Sequence, residues 1–154
     1  MASPDIRLTL HDKSADERRA YLESSIAEYR QELLDSGLSP DEVEDNIART
    51  SAQFDGQSFL NVVRDGEKVG TLWLGLRNGV GPDWWIFDIV IDEPHRGTGL
   101  GRPTLRAAEE FVTAHGGTRL GLNVFGPNKV ARHLYDAAGY VVSTQQMYKD
   151  LATP

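Results

Sequence analysis

The spacing of apolar residues changes as the chain is read from its N-terminus. Ile6-Arg7-Leu8-Thr9-Leu10 alternates with period two, which predicts a strand. Leu22, Ile26, Tyr29 and Leu33 then recur at helical spacing, after Ser14 and Glu17, the residue pair of a capping box. Gly37 is placed to stop that helix. Ser39-Pro40-Asp41-Glu42 predicts the start of a second helix, whose apolar side would carry Val43 and Ile47, with Phe54 beyond. The many acids of this helix pair read as a solvated face, or as one wall of a cleft.

Strand signals follow. Residues 58–64 predict one strand, Asp65-Gly66-Glu67-Lys68 a hairpin turn, and residues 69–77 the returning strand. Asn78-Gly79 and Gly81-Pro82 turn the chain into Ile86-Phe87-Asp88-Ile89-Val90-Ile91, an apolar run interrupted by one carboxylate. A loop with Gly97, Gly99 and Gly101 leads into a helix-like run from Thr104 to Val112. Residues 118–125 predict a strand parallel to the one before the loop, and Pro127-Asn128 opens a helix through Ala138. Short closing strands are expected at 140–142 and 146–149. Antiparallel hairpins followed by a βαβ unit predict an α+β fold, not a doubly wound sheet.

Composition narrows the function. A chain of 154 residues with 40% hydrophobic content fits one domain spanning residues 1–154. The net charge of −7 argues against general nucleic-acid binding and suits an amine-bearing partner. Without cysteines there is no disulfide, thiolate zinc site or cysteine nucleophile. No apolar stretch is long enough for a membrane span and the N-terminus lacks the signal-peptide pattern, so a cytoplasmic protein with no membrane partner is expected.

The chemistry gathers at the strand–glycine loop–helix segment. Free N–H groups at a helix N-terminus attract anions, and glycines let phosphate oxygens approach the main chain. The segment therefore predicts a pyrophosphate cradle. A Walker loop would place Lys after the last glycine, where this chain has Arg102-Pro103. A dinucleotide fingerprint would place an acid at the end of the next strand, and after Glu110 the next acid is Asp136. A third pattern, Arg/Gln-x-x-Gly-x-Gly/Ala, is met by Arg96-Gly97-Thr98-Gly99-Leu100-Gly101. A second motif lies downstream: Asn128, Ala131 three on, Tyr135 seven on, then Gly139-Tyr140.

Both motifs, in this order and separation, resemble those of the GNAT superfamily of N-acetyltransferases, over roughly residues 57–150. Two departures are local: Pro94 falls one residue later than the family's strand-end proline, and Pro103 lies in the first turns of the helix.

The resemblance implies a mixed, mostly antiparallel sheet of six to seven strands, about four helices and a βαβ acetyl-CoA unit. It implies direct transfer of an acetyl group from acetyl-CoA to a primary amine of a small molecule, peptide or protein, with no metal. Ile89, Val90 and Ile91 would meet the pantetheine, with the Val90 N–H near the thioester carbonyl. Residues Gly97, Thr98, Gly99, Leu100, Gly101 and Arg102 would meet the diphosphate, with Arg96 beside it. Asn128 would bond the donor or cap its helix. Tyr135 is the candidate acid. Asp88 is the candidate base, with a water chain as the alternative; the position where some relatives carry a glutamate is Asn123. His95 and His133 read as exposed. Trp73, Trp84, Trp85 and Phe87 read as core or as an acceptor cleft. An acyl-CoA-binding sensor or interaction domain without turnover is the competing reading, and a homodimer is an assembly common among relatives.

Overall fold

A computed structural model describes residues 5–152 of the chain. They form two compact units, divided after Asn123. The first opens with β1 (Thr9–Asp12), α1 (Ala15–Asp35) and α2 (Pro40–Ser51), then β2 (Ser58–Arg64), β3 (Glu67–Leu76) and β4 (Asp83–Ile91). A short 3-10 turn (Glu93–His95), α3 (Gly101–Ala114) and β5 (Arg119–Leu122) complete it. The second unit holds α4 (Lys129–Ala137).

The local chemistry explains the boundaries. Ser14 and Ser39 each accept from the backbone N–H three residues on, and Glu17 and Glu42 bond back to the cap N–H, so both capping boxes form. Pro40 starts α2 without losing a needed donor. Helix α1 ends in a Schellman motif: Leu38 donates to the Leu33 carbonyl and Gly37, at φ +96°, to that of Leu34. The turn between β2 and β3 has positive φ at both Asp65 and Gly66, which suits a tight two-residue hairpin.

The sheet order is β1-β2-β3-β4-β5. Its first four strands are antiparallel, and β5 joins β4 in parallel after the α3 crossover. The α+β architecture and the βαβ unit match expectation. Five strands form among the described residues, not six to seven. The expected closing strands at 140–142 and 146–149 are absent, and Val141, Met147 and Tyr148 are almost fully exposed. Alternation creates a strand only when a neighbouring ladder accepts it, and β propensity alone does not supply one. The first strand also forms later than residues 6–10, where its residues meet β2.

One sheet face and α3 share the core. Leu60, Val62, Leu72 and Leu74 are fully buried, as are Leu105 and Ala108 of α3. Trp84 lies edge-on to Phe111 of α3, with ring centres 6.1 Å apart. Gly117 gives this contact its room, since a Cβ there would lie 2.3 Å from Val112 Cγ1 and 2.5 Å from Trp84 Cδ1. Gly117→Ala is therefore expected to destabilise the protein by about 1–3 kcal/mol, an overpacking cost. Urea unfolding that leaves the midpoint unmoved would remove this contact from the account.

Candidate functional site

The parallel ladder between β4 and β5 runs from Asp83↔Arg119 to Ile86↔Leu122 and stops, while β4 continues to Ile91. Beyond Ile86, β4 is paired only with β3. Asp92 donates to the Val69 carbonyl, and the register Gly70↔Ile91 through Trp73↔Asp88 is unbroken. Alternation along an antiparallel ladder then turns the amides of Asp88 and Val90 toward β3 and those of Ile89 and Ile91 toward the unpaired edge. The Ile91 carbonyl on that edge accepts from Arg96 Nε at 2.9 Å. The Val90 amide, expected to face a ligand, faces β3 instead, and Ile89 offers the outward N–H.

The loop continues from this edge. Gly97 and Gly99 take φ of +74° and +79°, a region costly for other residues. The Thr98 hydroxyl donates to the His95 carbonyl and holds the loop closed on itself. Leu100, 3% exposed, anchors the start of α3 but offers no capping side chain. Helices α1, α2 and α4 are capped by Ser14, Ser39 and Asn128. Among the described residues, no N–H from Gly97 through Arg102 donates to a protein acceptor. Pro103, third in the helix, lacks a donor that would have been unpaired there anyway. The result is a row of outward amides at the positive end of a helix dipole, with Arg96 and Arg102 beside it, which fits a diphosphate.

Asp88 lies on the opposite side of the sheet from α3. A bulge after Trp73 inserts Phe87 as an extra residue in β4, between Ile86 and Asp88. Phe87 and Asp88 therefore fall on the same face. Phe87 stacks on Trp73 with centres 5.2 Å apart, and Asp88 Oδ2 accepts from the Tyr21 hydroxyl at 2.5 Å. Tyr21 itself stands edge-on to Trp73, 6.2 Å away. Burial, reinforced by the Asp88 hydrogen bond and charge, pushes the Tyr21 phenol far above its ordinary value. Tyr21 is thus a fixed donor at working pH, and it came from no sequence signal: it lies beside the apolar stripe of α1 and 67 residues from its partner.

A polar network flanks this pair. Lys13 Nζ donates to Asn61 Oδ1 at 2.6 Å and to Thr71 Oγ1 at 3.1 Å, and Asn61 Nδ2 donates to Glu17 Oε2 at 2.6 Å. Burial, helped by Lys68, holds the Lys13 ammonium below its ordinary value; Glu17 and Asp92 oppose that shift. Of the aromatics, Trp73 and Phe87 line the Asp88 face, Trp84 packs on α3, and Trp85 lies under the Arg77 guanidinium at 4.5 Å. His95 lies 3.6 Å from Glu67.

In the second unit, Asn128 accepts from the Ala131 N–H at 3.1 Å and caps α4, and Tyr135 is 9% exposed, two turns on. Tyr140 donates to the Tyr135 carbonyl and Gly139, at φ +91°, to that of Asp136, a second Schellman ending. The Asn-to-Tyr motif is thus one capped helix, with its glycine as the stop.

The model for the acetyltransferase (GNAT) family matches residues 17–140. The chain belongs to this family. An uncharacterized N-acetyltransferase of Bacillus subtilis, YdgE, is 27% identical over 154 residues, covering 93% of this chain and 98% of the relative. The crystal structure of YycN, another Bacillus subtilis N-acetyltransferase, superimposes with a TM-score of 0.76 at 23% identity, covering 95% of this chain and 99% of the other. The spermidine N-acetyltransferase from Vibrio cholerae, solved with CoA and spermine, shares the fold at a TM-score of 0.61 and 18% identity, over 88% and 81% of the two chains. This GNAT chain is accordingly an acyltransferase.

The raised Tyr21 value carries a stability consequence. Above about pH 10 an unfolded tyrosine loses its proton while the folded Tyr21 keeps it, so the unfolded state binds fewer protons and stability falls as pH rises. The contribution is fully present at neutral pH. Urea midpoints from pH 8 to 11 are expected to drop more steeply in the native protein than in Tyr21→Phe; parallel curves would contradict the bond.

Proposed function

We propose that this protein transfers an acetyl group from acetyl-CoA directly to a primary amine held on the Asp88 face. The observation that carries the reading is the continuity of unsatisfied main chain, from the open edge of β4 to the uncapped start of α3. Acetyl-CoA supplies the acyl group as an activated thioester. The outward amides of Ile89 and Ile91 would hold its pantetheine as a third strand holds an edge. The N–H groups from Gly97 through Arg102, with the charges of Arg96 and Arg102, would hold the diphosphate.

The remaining chemistry is proton transfer and positioning. The ammonium of the acceptor must lose a proton before it attacks, and the Asp88 carboxylate, kept in place by Tyr21, takes the base role. The Ile89 N–H, facing the open edge beside Asp88, replaces Val90 as the donor to the developing oxyanion. Tyr135 is assigned the acid that protonates the departing thiolate, since a phenol keeps its proton at neutral pH. Asn128 would reach the donor through atoms its cap leaves free, since the carboxamide nitrogen is not used in capping. Holding both substrates in one cleft accounts for several kcal/mol of the barrier. The family match spans both compact units, which supports one acetyltransferase domain across residues 1–154.

Incubation with acetyl-CoA and a panel of primary amines is expected to release free thiol; tight acetyl-CoA binding with no release would establish a sensor instead. Asp88→Asn is expected to lower kcat/KM by about 100-fold and move the pH profile upward. Tyr135→Phe is expected to lower kcat by about the same factor with the acetyl-CoA Kd nearly unchanged. Wild-type rates in either variant would remove that residue from the mechanism.

A further inference from the structure

The Asp88 face extends into a cavity that no motif announced. It has a volume of about 200 Å³ and lies between α1 and α2, over Trp73. Its walls are Ile26, Tyr29, Ile47, Phe54 and the indole of Trp73, with the small hydroxyl residues Ser25, Thr50 and Ser51. Among the described residues, no Asp, Glu, Lys or Arg lines it. Two of the polar groups near it are engaged within the fold. The Thr50 hydroxyl donates to the Asn46 carbonyl at 2.9 Å, and Trp73 Nε1 donates to Gln57.

The cavity and the carboxylate share one residue. Trp73 lines the former and is the direct cross-strand partner of Asp88. Tyr21, edge-on to Trp73, joins the two by its bond to Asp88. A ligand seated on the indole thus has an apolar chamber on one side and the Asp88 carboxylate on the other.

We propose that the acceptor is a monoamine with an uncharged, ring-sized apolar body, its nitrogen at Asp88 and its body in the chamber over Trp73. This assignment rests on the acetyl-transfer reading and names its substrate class. Size supports it: a dry cavity of roughly 150 Å³ lined by apolar side chains accepts benzene, so this one takes a ring with a short linker. Charge supports it further. A polyamine or aminosugar carries several ammonium groups, and each one brought against these walls would be desolvated without a counter-charge. Of the acids on the neighbouring helices, Glu44 is engaged by Arg30 at 2.8 Å and faces solvent. Ile47 of the wall is buried, as is Val43 one turn earlier on α2, so the wall is part of the packed structure.

The test compares 2-phenylethylamine with spermidine and ethylamine by thiol release at saturating acetyl-CoA. The expected result is a kcat/KM for 2-phenylethylamine at least about 10-fold above both others. Ile26→Trp, which fills the chamber from a half-exposed position, is expected to raise the KM for 2-phenylethylamine by about 10-fold or more with the acetyl-CoA KM little changed. Thr50→Asp, which adds a carboxylate to the wall, is expected to swing the preference about 10-fold toward 1,5-diaminopentane. Spermidine turned over as well as or better than the aromatic amine would overturn the proposal and leave amine acetylation intact. If no amine releases thiol, the catalytic reading fails. Calorimetry then decides the chamber separately, where 2-phenylethylamine binding that is weakened by Ile26→Trp upholds it and no binding ends it.

Discussion

A backbone amide that finds no partner inside the fold must find one outside it, and this molecule concentrates such amides along one line. The parallel ladder ends at Ile86↔Leu122 although β4 goes on to Ile91. Longer pairing would have consumed the outward groups of Ile89 and Ile91. A Ser or Asp in place of Leu100 would have consumed one at the start of α3. The sequence avoids both, placing an aliphatic anchor at the cap and glycines with positive φ before it. The unsatisfied donors carry a free-energy cost unless water or a ligand meets them, and they lie where solvent reaches them.

The second constraint is the bulge at Phe87. Regular pleating would send Phe87 and Asp88 to opposite faces, and one of them would point toward α3. The inserted residue lets both meet Trp73 and its neighbours, so an aromatic platform and a carboxylate stand side by side. Tyr21 then fixes the carboxylate from the helix above. The same helix, with α2, walls the chamber over Trp73. Its apolar stripe is half-buried, because part of it lines that space and does not press on the sheet.

Local codes are legible in the sequence where they act over a few residues. Both capping boxes, the Gly37 stop, the Asp65-Gly66 turn and the glycine loop each depend on chemistry within one turn of chain. The family is legible from two such segments, the glycine loop and the Asn128-to-Tyr140 motif. Long-range partners were not legible. Nothing near Tyr21 announces Asp88, nothing near Lys13 announces Asn61 and Thr71, and alternation within 140–149 does not reveal that no ladder receives it. The Val90 amide, expected at the ligand, faces β3, because which amide points outward is set by pairing with β3, not by composition.

Arg96 gives the loop one further property. Its Nε is tied to the carbonyl of Ile91, the last residue of β4, while Thr98 closes the turn beyond it. The segment is therefore held by its own contacts before any anion arrives, and its main-chain entropy is largely surrendered during folding. A ligand that met these amides would have little ordering left to impose on the chain there.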